Sequence, residues 1–304
     1  MLWPSLMRLL SETIHKKDMP KTVVAMGTTV ATGTFLVYGL SSFFALFDLF
    51  RIVFWIAGLL IPCIAFVWLF FLPKLTKACE KEYALEESAE EALAEKTESK
   101  GKLGGYLAVF LCVMALFAVA DNLTKDGLTT WVPSILKETY GFPDSLSILL
   151  TLVLPLFAVF GTAVAVWLKK RISDFLTLCA LFFGAAGGLI GCVIGFMDVS
   201  SVIMLVCFAF VSCFMSSINN VITSMMPLYM KDKVNSGLLA GVLNGCCYIG
   251  STISSYGLGS VAKAGGWNAV FWLLFALTVG ASVLGFSVAL FAKLFSKKKG
   301  AGTH

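Results

Sequence analysis

The sequence predicts an all-α polytopic membrane protein, with about eight full spans preceded by a partial N-terminal helix. Three observations carry that prediction. The 304 residues are 58% hydrophobic and only 13% charged, whereas an ordinary soluble domain carries roughly 25% charged residues. The apolar residues gather into eight runs, each long enough for a helical crossing of about twenty residues. The lysines and arginines between the runs fall almost entirely on alternate connections. A β-barrel would instead show alternating segments of roughly ten residues, and none is visible.

Taken in order, the first ten residues, MLWPSLMRLL, are too short to cross a bilayer and too short for a signal with its own cleavage site. They read as the back half of a helix whose front half is absent. The full spans follow near residues 23–47, 52–72, 107–123 or beyond, 145–168, 175–196, 200–226, 236–261 and 268–291. Alternating the connections puts nineteen basic residues on one side, from Arg8, Lys16 and Lys17 through Lys169, Lys170 and Arg171 to Lys297, Lys298 and Lys299. The other side holds three, Arg51, Lys137 and Lys263. The positive-inside rule makes the nineteen-residue side cytoplasmic, the C-terminus included. The expected location is the plasma (inner) membrane. The net charge of +5 arises in these loops, so it bears on orientation and gives no reason to expect nucleic acid as a partner.

Residues 73–103 form a charged connection, with eight glutamates and six lysines between Pro73 and Lys102. It reads as a cytoplasmic linker with some helix propensity. The expected division is 1–72 as the remnant of an N-terminal six-helix half, 73–103 as linker, 104–293 as a C-terminal six-helix half and 294–304 as a basic cytoplasmic tail.

The stretch VADNLTKDGLTTW, residues 119–131, sets Asp121, Lys125 and Asp126 directly after an apolar run. Nineteen residues from Tyr106 would already reach about 28 Å as a helix, so the charges could mark the outer end of a span. Apolar residues resume at Trp131, Val132, Ile135 and Leu136, however. A long tilted helix, loosened at Gly127 and Pro133, would bring Lys125 inward, with Asp121 one turn away on the same face. Periodicity leaves both readings open. A charge inside a membrane span is by default functional.

Other polar positions suggest a cavity or helix packing. In the run beginning at Ser236, Gly237, Gly241 and Gly245 recur every four residues, a small-residue face for close helix approach. On another face Asn244, Tyr248, Ser251 and Ser255 form a polar line. Asn219 and Asn220 lie deep in their span. Thr28, Thr29, Thr32, Thr34 and Tyr38 could line the other half, although threonines also satisfy their own backbone. Gly184, Gly187, Gly188, Gly191 and Gly195 read as packing. Nine cysteines without metal-ligand spacing, and histidines only at His15 and His304, leave no metal or cofactor to expect. No nucleotide loop is visible, so an enzyme is not expected.

KDGLTTWVPSILKETYG, residues 125–141, closely resembles the seventh-helix signature of the organophosphate/phosphate antiporter branch of the major facilitator superfamily. LWPSLMRLLSE, residues 2–12, is similar to that branch's fourth helix, and GVLNGCCYIGSTISSYGLGSVAKAGGW, residues 241–267, to its eleventh. The resemblance implies a major facilitator fold lacking its first three transmembrane helices. It also implies a substrate-facing Lys125 at the position of a phosphate-holding cation, with Trp131 in the same signature; Asp121 by its helical spacing, Asn219 by its depth and Asn244 and Tyr248 by their polar line complete the expected substrate-binding set. Lysine stands where the branch usually has arginine, and residues 23–33 lack the histidine that some phosphate antiporters carry in the fifth helix. Lys170 and Arg171, with Asp174, resemble a worn cytoplasmic gating loop. The function so implied is secondary active transport of a small anionic or polar solute by alternating access, a phosphorylated metabolite being one candidate. The partners would be that solute, the lipid bilayer and a counter-ion, phosphate or proton. The alternatives at this level are a transporter-like membrane sensor and a truncated, inactive fragment of a transporter.

Overall fold

A computed structural model of the chain describes residues 19–47, 49, 51–90, 105–197, 199–230 and 234–301. The N-terminal stub, residues 91–104 of the linker, Lys231, Lys233 and the last three residues lie outside the described residues. Every element among those described is helical: α1 (Met19–Ala45), α2 (Arg51–Glu90), α3 (Gly105–Tyr140), α4 (Asp144–Thr151), α5 (Val153–Lys169), α6 (Phe175–Phe196), α7 (Ser201–Asn220), α8 (Met226–Tyr229), α9 (Ser236–Ile253) and α10 (Gly259–Ala301). A π-helical turn, Val221–Met225, joins α7 to α8, and a second, Ser254–Leu258, joins α9 to α10.

Seven stretches of the described residues are long and apolar enough to cross a membrane. The last of them, Ser236–Ala292, runs for 57 residues, far more than one crossing needs. Gly266, at φ 73° and ψ 178°, interrupts it, so its two limbs account for the eighth span. α3 does not stop near Leu123: its apolar stretch runs from Leu107 to Tyr140. Its end is written locally. Gly141 takes the left-handed conformation (φ 70°), its N–H bonds to the Lys137 carbonyl, and the Phe142 N–H reaches back to Leu136. This glycine-terminated pattern satisfies the last helical carbonyls. Side chains start other helices: Asp174 accepts from the Thr177 N–H at the head of α6, and Asn235 from the Leu238 N–H at the head of α9, as short polar caps do.

The chain divides into two compact units, one of residues up to Gly39 together with Tyr106 onward, the other Leu40–Gly105. The smaller unit is dominated by α2. Its apolar part, Arg51–Phe71, has nothing buried within the protein, with Phe54 and Trp55 about three-quarters exposed. The helix then continues to Glu90 through the first part of the charged connection, as its alanine, leucine and glutamate content favours.

In the larger unit α10 lies along α6, and α7 packs against both α5 and α6. Hydrocarbon gives no hydrophobic reward for helix association, so close approach and interhelical hydrogen bonds must hold such a bundle. Both are present. Gly161 of α5 is so near α7 that a Cβ there would collide with the Cys213 carbonyl. The Ser217 hydroxyl donates to the Gly161 carbonyl at 2.7 Å, and Ser212 donates to Leu154 at 3.0 Å. On the other seam, Gly184, Gly187 and Gly191 meet Ser282, Val279 and Phe275, whereas Gly188 and Gly195 face open space. The glycine run of α6 is thus a packing face at three of its five positions. Fully buried aromatic pairs fill the centre: Phe117 against Phe183 at 5.2 Å and Phe208 against Phe271 at 5.6 Å.

Two prolines shape the helices nearest the site. Pro155 has no N–H for the Thr151 carbonyl, and the chain breaks there, at Leu152, between α4 and α5. Pro227 has the same effect on α7, where the ladder steps to a π pattern with the Met226 N–H on the Val221 carbonyl.

Replacing Gly161 with alanine should cost about 1–3 kcal/mol through overpacking against backbone that cannot yield. Gly188→Ala, into open space, should cost nothing measurable. Thermal unfolding of the two variants in detergent, beside wild type, checks both.

Candidate binding cavity

The charged cluster sits at the middle of α3. Asp121 and Lys125 flank the midpoint of the 36-residue helix, which at helical rise is about 54 Å long, against a hydrocarbon core of about 30 Å. The helix is continuous through Gly127 and Pro133. Gly127 provides close approach: a Cβ there would run into Leu258 of the second π turn.

Lys125 and Asp126 open onto a cavity of about 180 Å³. Thr129 lies one turn further along α3, Gly27 and Thr34 come from α1, and Pro155 and Ala158 come from α5. The opposite wall is a polar stripe on α7 and its π turn: Ser212, Ser216, Asn220 and Ser224, in steps of four, with Asn219 and Thr223 beside them. Gly27 touches this wall so closely that a Cβ would overlap Thr162 and the Asn220 amide, whose nitrogen donates to the Thr162 hydroxyl. The Tyr38 hydroxyl donates to the Thr129 carbonyl at 3.0 Å, tying α1 to α3.

Among the described residues the cavity holds one cation and one anion at its surface. The Lys125 ammonium lies 3.7 Å from Asp126 Oδ1, with the two side chains 23% and 36% exposed. The Ser251 hydroxyl of α9 donates to the other Asp126 oxygen, which fixes the carboxylate from a second helix. Behind them Asp121 is fully buried. One of its oxygens accepts from the Asn122 amide at 3.4 Å; the other has no hydrogen-bond partner among the described residues. The buried Ser224 hydroxyl on the cavity wall is also without a partner there. The Ser224 hydroxyl thereby forgoes hydrogen bonding that water would have supplied, a cost of about 1–3 kcal/mol.

The sequence-predicted residues separate into two groups. Lys125 and Asn219 line the cavity, and Asp121 lies one turn behind Lys125. Trp131 does not line it: its indole N–H donates to the Ser254 carbonyl at 3.2 Å, and its ring packs over Gly259 and 5.8 Å from Trp267. Asn244 is half-buried and Tyr248 is 66% exposed, neither of them on the cavity wall. Of the glycine stripe, Gly237 and Gly241 are half-buried and Gly245 faces open space; the close approach of α9 is made by Gly250, against the Val119 carbonyl. Lys170 and Arg171 are exposed at the end of α5, with the Arg171 guanidinium 5.0 Å from the Trp167 ring. Asp126 was foreseen only as a member of the charged cluster, and Thr129, Ser212, Ser216 and Ser224 were not foreseen as site residues. The four-residue spacing of Ser212, Ser216, Asn220 and Ser224 is visible in the sequence and marks one helix face.

Comparison with known proteins agrees with this architecture. Residues 1–255 match the Major Facilitator Superfamily. Among solved structures, the crystal structure of a bacterial homologue of the iron transporter ferroportin in an outward-facing state aligns with a TM-score of 0.56 at 14% identity. The alignment covers 92% of this chain and 66% of that one, so the chain spans just under two thirds of that protein's length. At such identity the likeness speaks for the fold alone. No curated protein matches the chain in sequence. With the family match covering well over half of its residues, the chain belongs to the Major Facilitator Superfamily and is an all-α, multi-pass membrane protein.

Proposed function

We propose that the protein is a secondary active transporter of a small anionic or polar solute, bound in the cavity at Lys125 and exposed to the two sides of the membrane in turn. The observation that carries this reading is the cavity itself. A lysine at the middle of an apolar helix is paired, part-exposed and faced by a stripe of hydroxyl and amide groups, at a depth where lipid offers polar groups nothing. Family membership supports the same reading, since transporter folds of this kind bind solutes near the midplane and rock around the site.

Several finer assignments belong to the proposal. The solute is of the kind an organophosphate/phosphate antiporter-like branch would take, with a counter-ion, phosphate or proton, completing the cycle. Residues 104–293 act as the C-terminal half, joined through 73–103 to the part before it. The loop with Lys170 and Arg171 meets the cytoplasm, as does the C-terminus, and the membrane is the plasma (inner) membrane; the distribution of basic residues supports that orientation. The cavity works by binding and release, and no catalytic step is assigned to it.

The test is uptake into sealed proteoliposomes from a panel of radiolabelled phosphate esters, carboxylates, amino acids and polyols. At least one should enter saturably, above protein-free vesicles. Lys125→Gln should lower that uptake by at least about tenfold, as loss of a desolvated charge contact does, with an unchanged yield of membrane-inserted protein. Binding without flux would turn the reading toward a membrane sensor, and full uptake by Lys125→Gln would remove Lys125 from the site.

A further inference from the structure

The charges around the cavity do not favour a purely anionic solute. Among the described residues Lys125 is the cavity's one cation, and Asp126 stands 3.7 Å from it on the same surface. A second carboxylate, Asp121, lies one turn behind, so the described residues give the site no surplus of positive charge. A cleft lined by one sign of charge concentrates the opposite ion, and these residues do not form such a lining for an anion. Asp126 is also not a bystander of the lysine. The Ser251 hydroxyl of α9 holds one of its oxygens, leaving Oδ1 directed to Lys125 and its side chain 36% exposed. At 3.7 Å the Lys125–Asp126 pair is longer than a charge-assisted hydrogen bond of about 2.7–2.9 Å, so both groups retain capacity for a closer partner.

A solute carrying an acidic group and an ammonium a few bonds apart fits this pair. Its acidic group would lie on Lys125 and its ammonium on Asp126, and each protein charge would exchange a loose partner for a close one. The part-exposed Asn219 side chain on the cavity wall supplies a further polar contact beside it. Size agrees: a cavity of about 180 Å³ corresponds to roughly six water volumes, room for the polar head of a small molecule.

We infer that the cavity recognises a small zwitterion, a primary amine bearing a carboxylate or phosphate, with Lys125 holding the acidic group and Asp126 the ammonium. The inference rests on the transport reading above and narrows it: Asp126 becomes the residue that decides between zwitterions and simple anions.

Matched probes test it on the purified full chain in nanodiscs and in proteoliposomes. Alanine is compared with lactate, and phosphoethanolamine with glycerol phosphate; the first member of each pair has the ammonium, the second does not. At least one amine should bind about tenfold or more tighter than its counterpart, the size of effect expected for a desolvated charge contact. Which pair shows the difference separates carboxylate from phosphate. Asp126→Asn should abolish the preference, Asp126→Glu should restore part of it, and Lys125→Gln should weaken both members together. Partial rescue by glutamate distinguishes recognition from a folding defect. Tight binding and uptake of lactate or glycerol phosphate, with no advantage for the amines and no change of preference in Asp126→Asn, would overturn the zwitterion assignment and leave the transporter standing. No binding or flux of any probe would remove the zwitterion assignment, and transport of other solutes in the wider panel would then stand or fall separately.

Discussion

Lys125, Asp121 and Asp126 at the midpoint of α3 impose the constraint that the surrounding structure answers. A charge at that depth costs roughly 2.5–3.5 kcal/mol even on permissive insertion scales, and hydrocarbon can return none of it. The neighbouring helices must therefore bring polar groups to α3. Ser251 of α9 does so by binding Asp126, and the Ser212, Ser216, Asn220 and Ser224 face of α7 lines the space opposite. Where the response is incomplete, as at the hydroxyl of Ser224, a buried polar group is left to bear its desolvation cost.

Bringing those helices together requires close contact elsewhere, and glycines and prolines allow it. Gly250 brings the α9 backbone onto α3 at Val119, Gly161 brings α5 onto α7, and Gly27 brings α1 onto the polar wall. Pro155, on the cavity wall, and Pro227, just after the π turn that reaches it, interrupt the regular ladder. The π turn before Pro227 carries Thr223 and Ser224 onto the cavity wall, and such turns recur at functional sites. A second π turn at Ser254–Leu258 presents the Ser254 carbonyl to Trp131 and receives the close approach of Gly127. Packing and site are built from the same irregularities.

Much of this was legible in the sequence because the strongest signals in a membrane protein are compositional. Apolar run length gave the spans within a few residues; even the break in the longest helix falls at Gly266, inside the expected turn between 261 and 268. The extent of α3 was not legible, because its three charges interrupt hydropathy in the same way whether they end a helix or line a cavity. Continuation to the glycine stop at Gly141 resolves that ambiguity. The site was half visible. Intramembrane charge pointed to Lys125 and Asp121, and amide content pointed to Asn219. The polar line of α9 drew attention to Asn244 and Tyr248, whereas only Ser251 of that line reaches the charged cluster. A one-dimensional stripe does not say which helix it will face. The stripe of α7 was overlooked because serines in a helix so often satisfy their own backbone, as Ser217 partly does with Cys213.

The central claim is that a polar cavity lies inside the membrane beside Lys125. Spin-label accessibility in lipid vesicles tests it most directly, with one label at Ser216 on the cavity wall and another at Leu116, which is 59% exposed on the outer face of α3. The account predicts that the Ser216 label collides with a water-soluble nickel chelate and the Leu116 label with dissolved oxygen, which concentrates in lipid. A Ser216 label that meets oxygen and excludes the chelate, as Leu116 does, would contradict it.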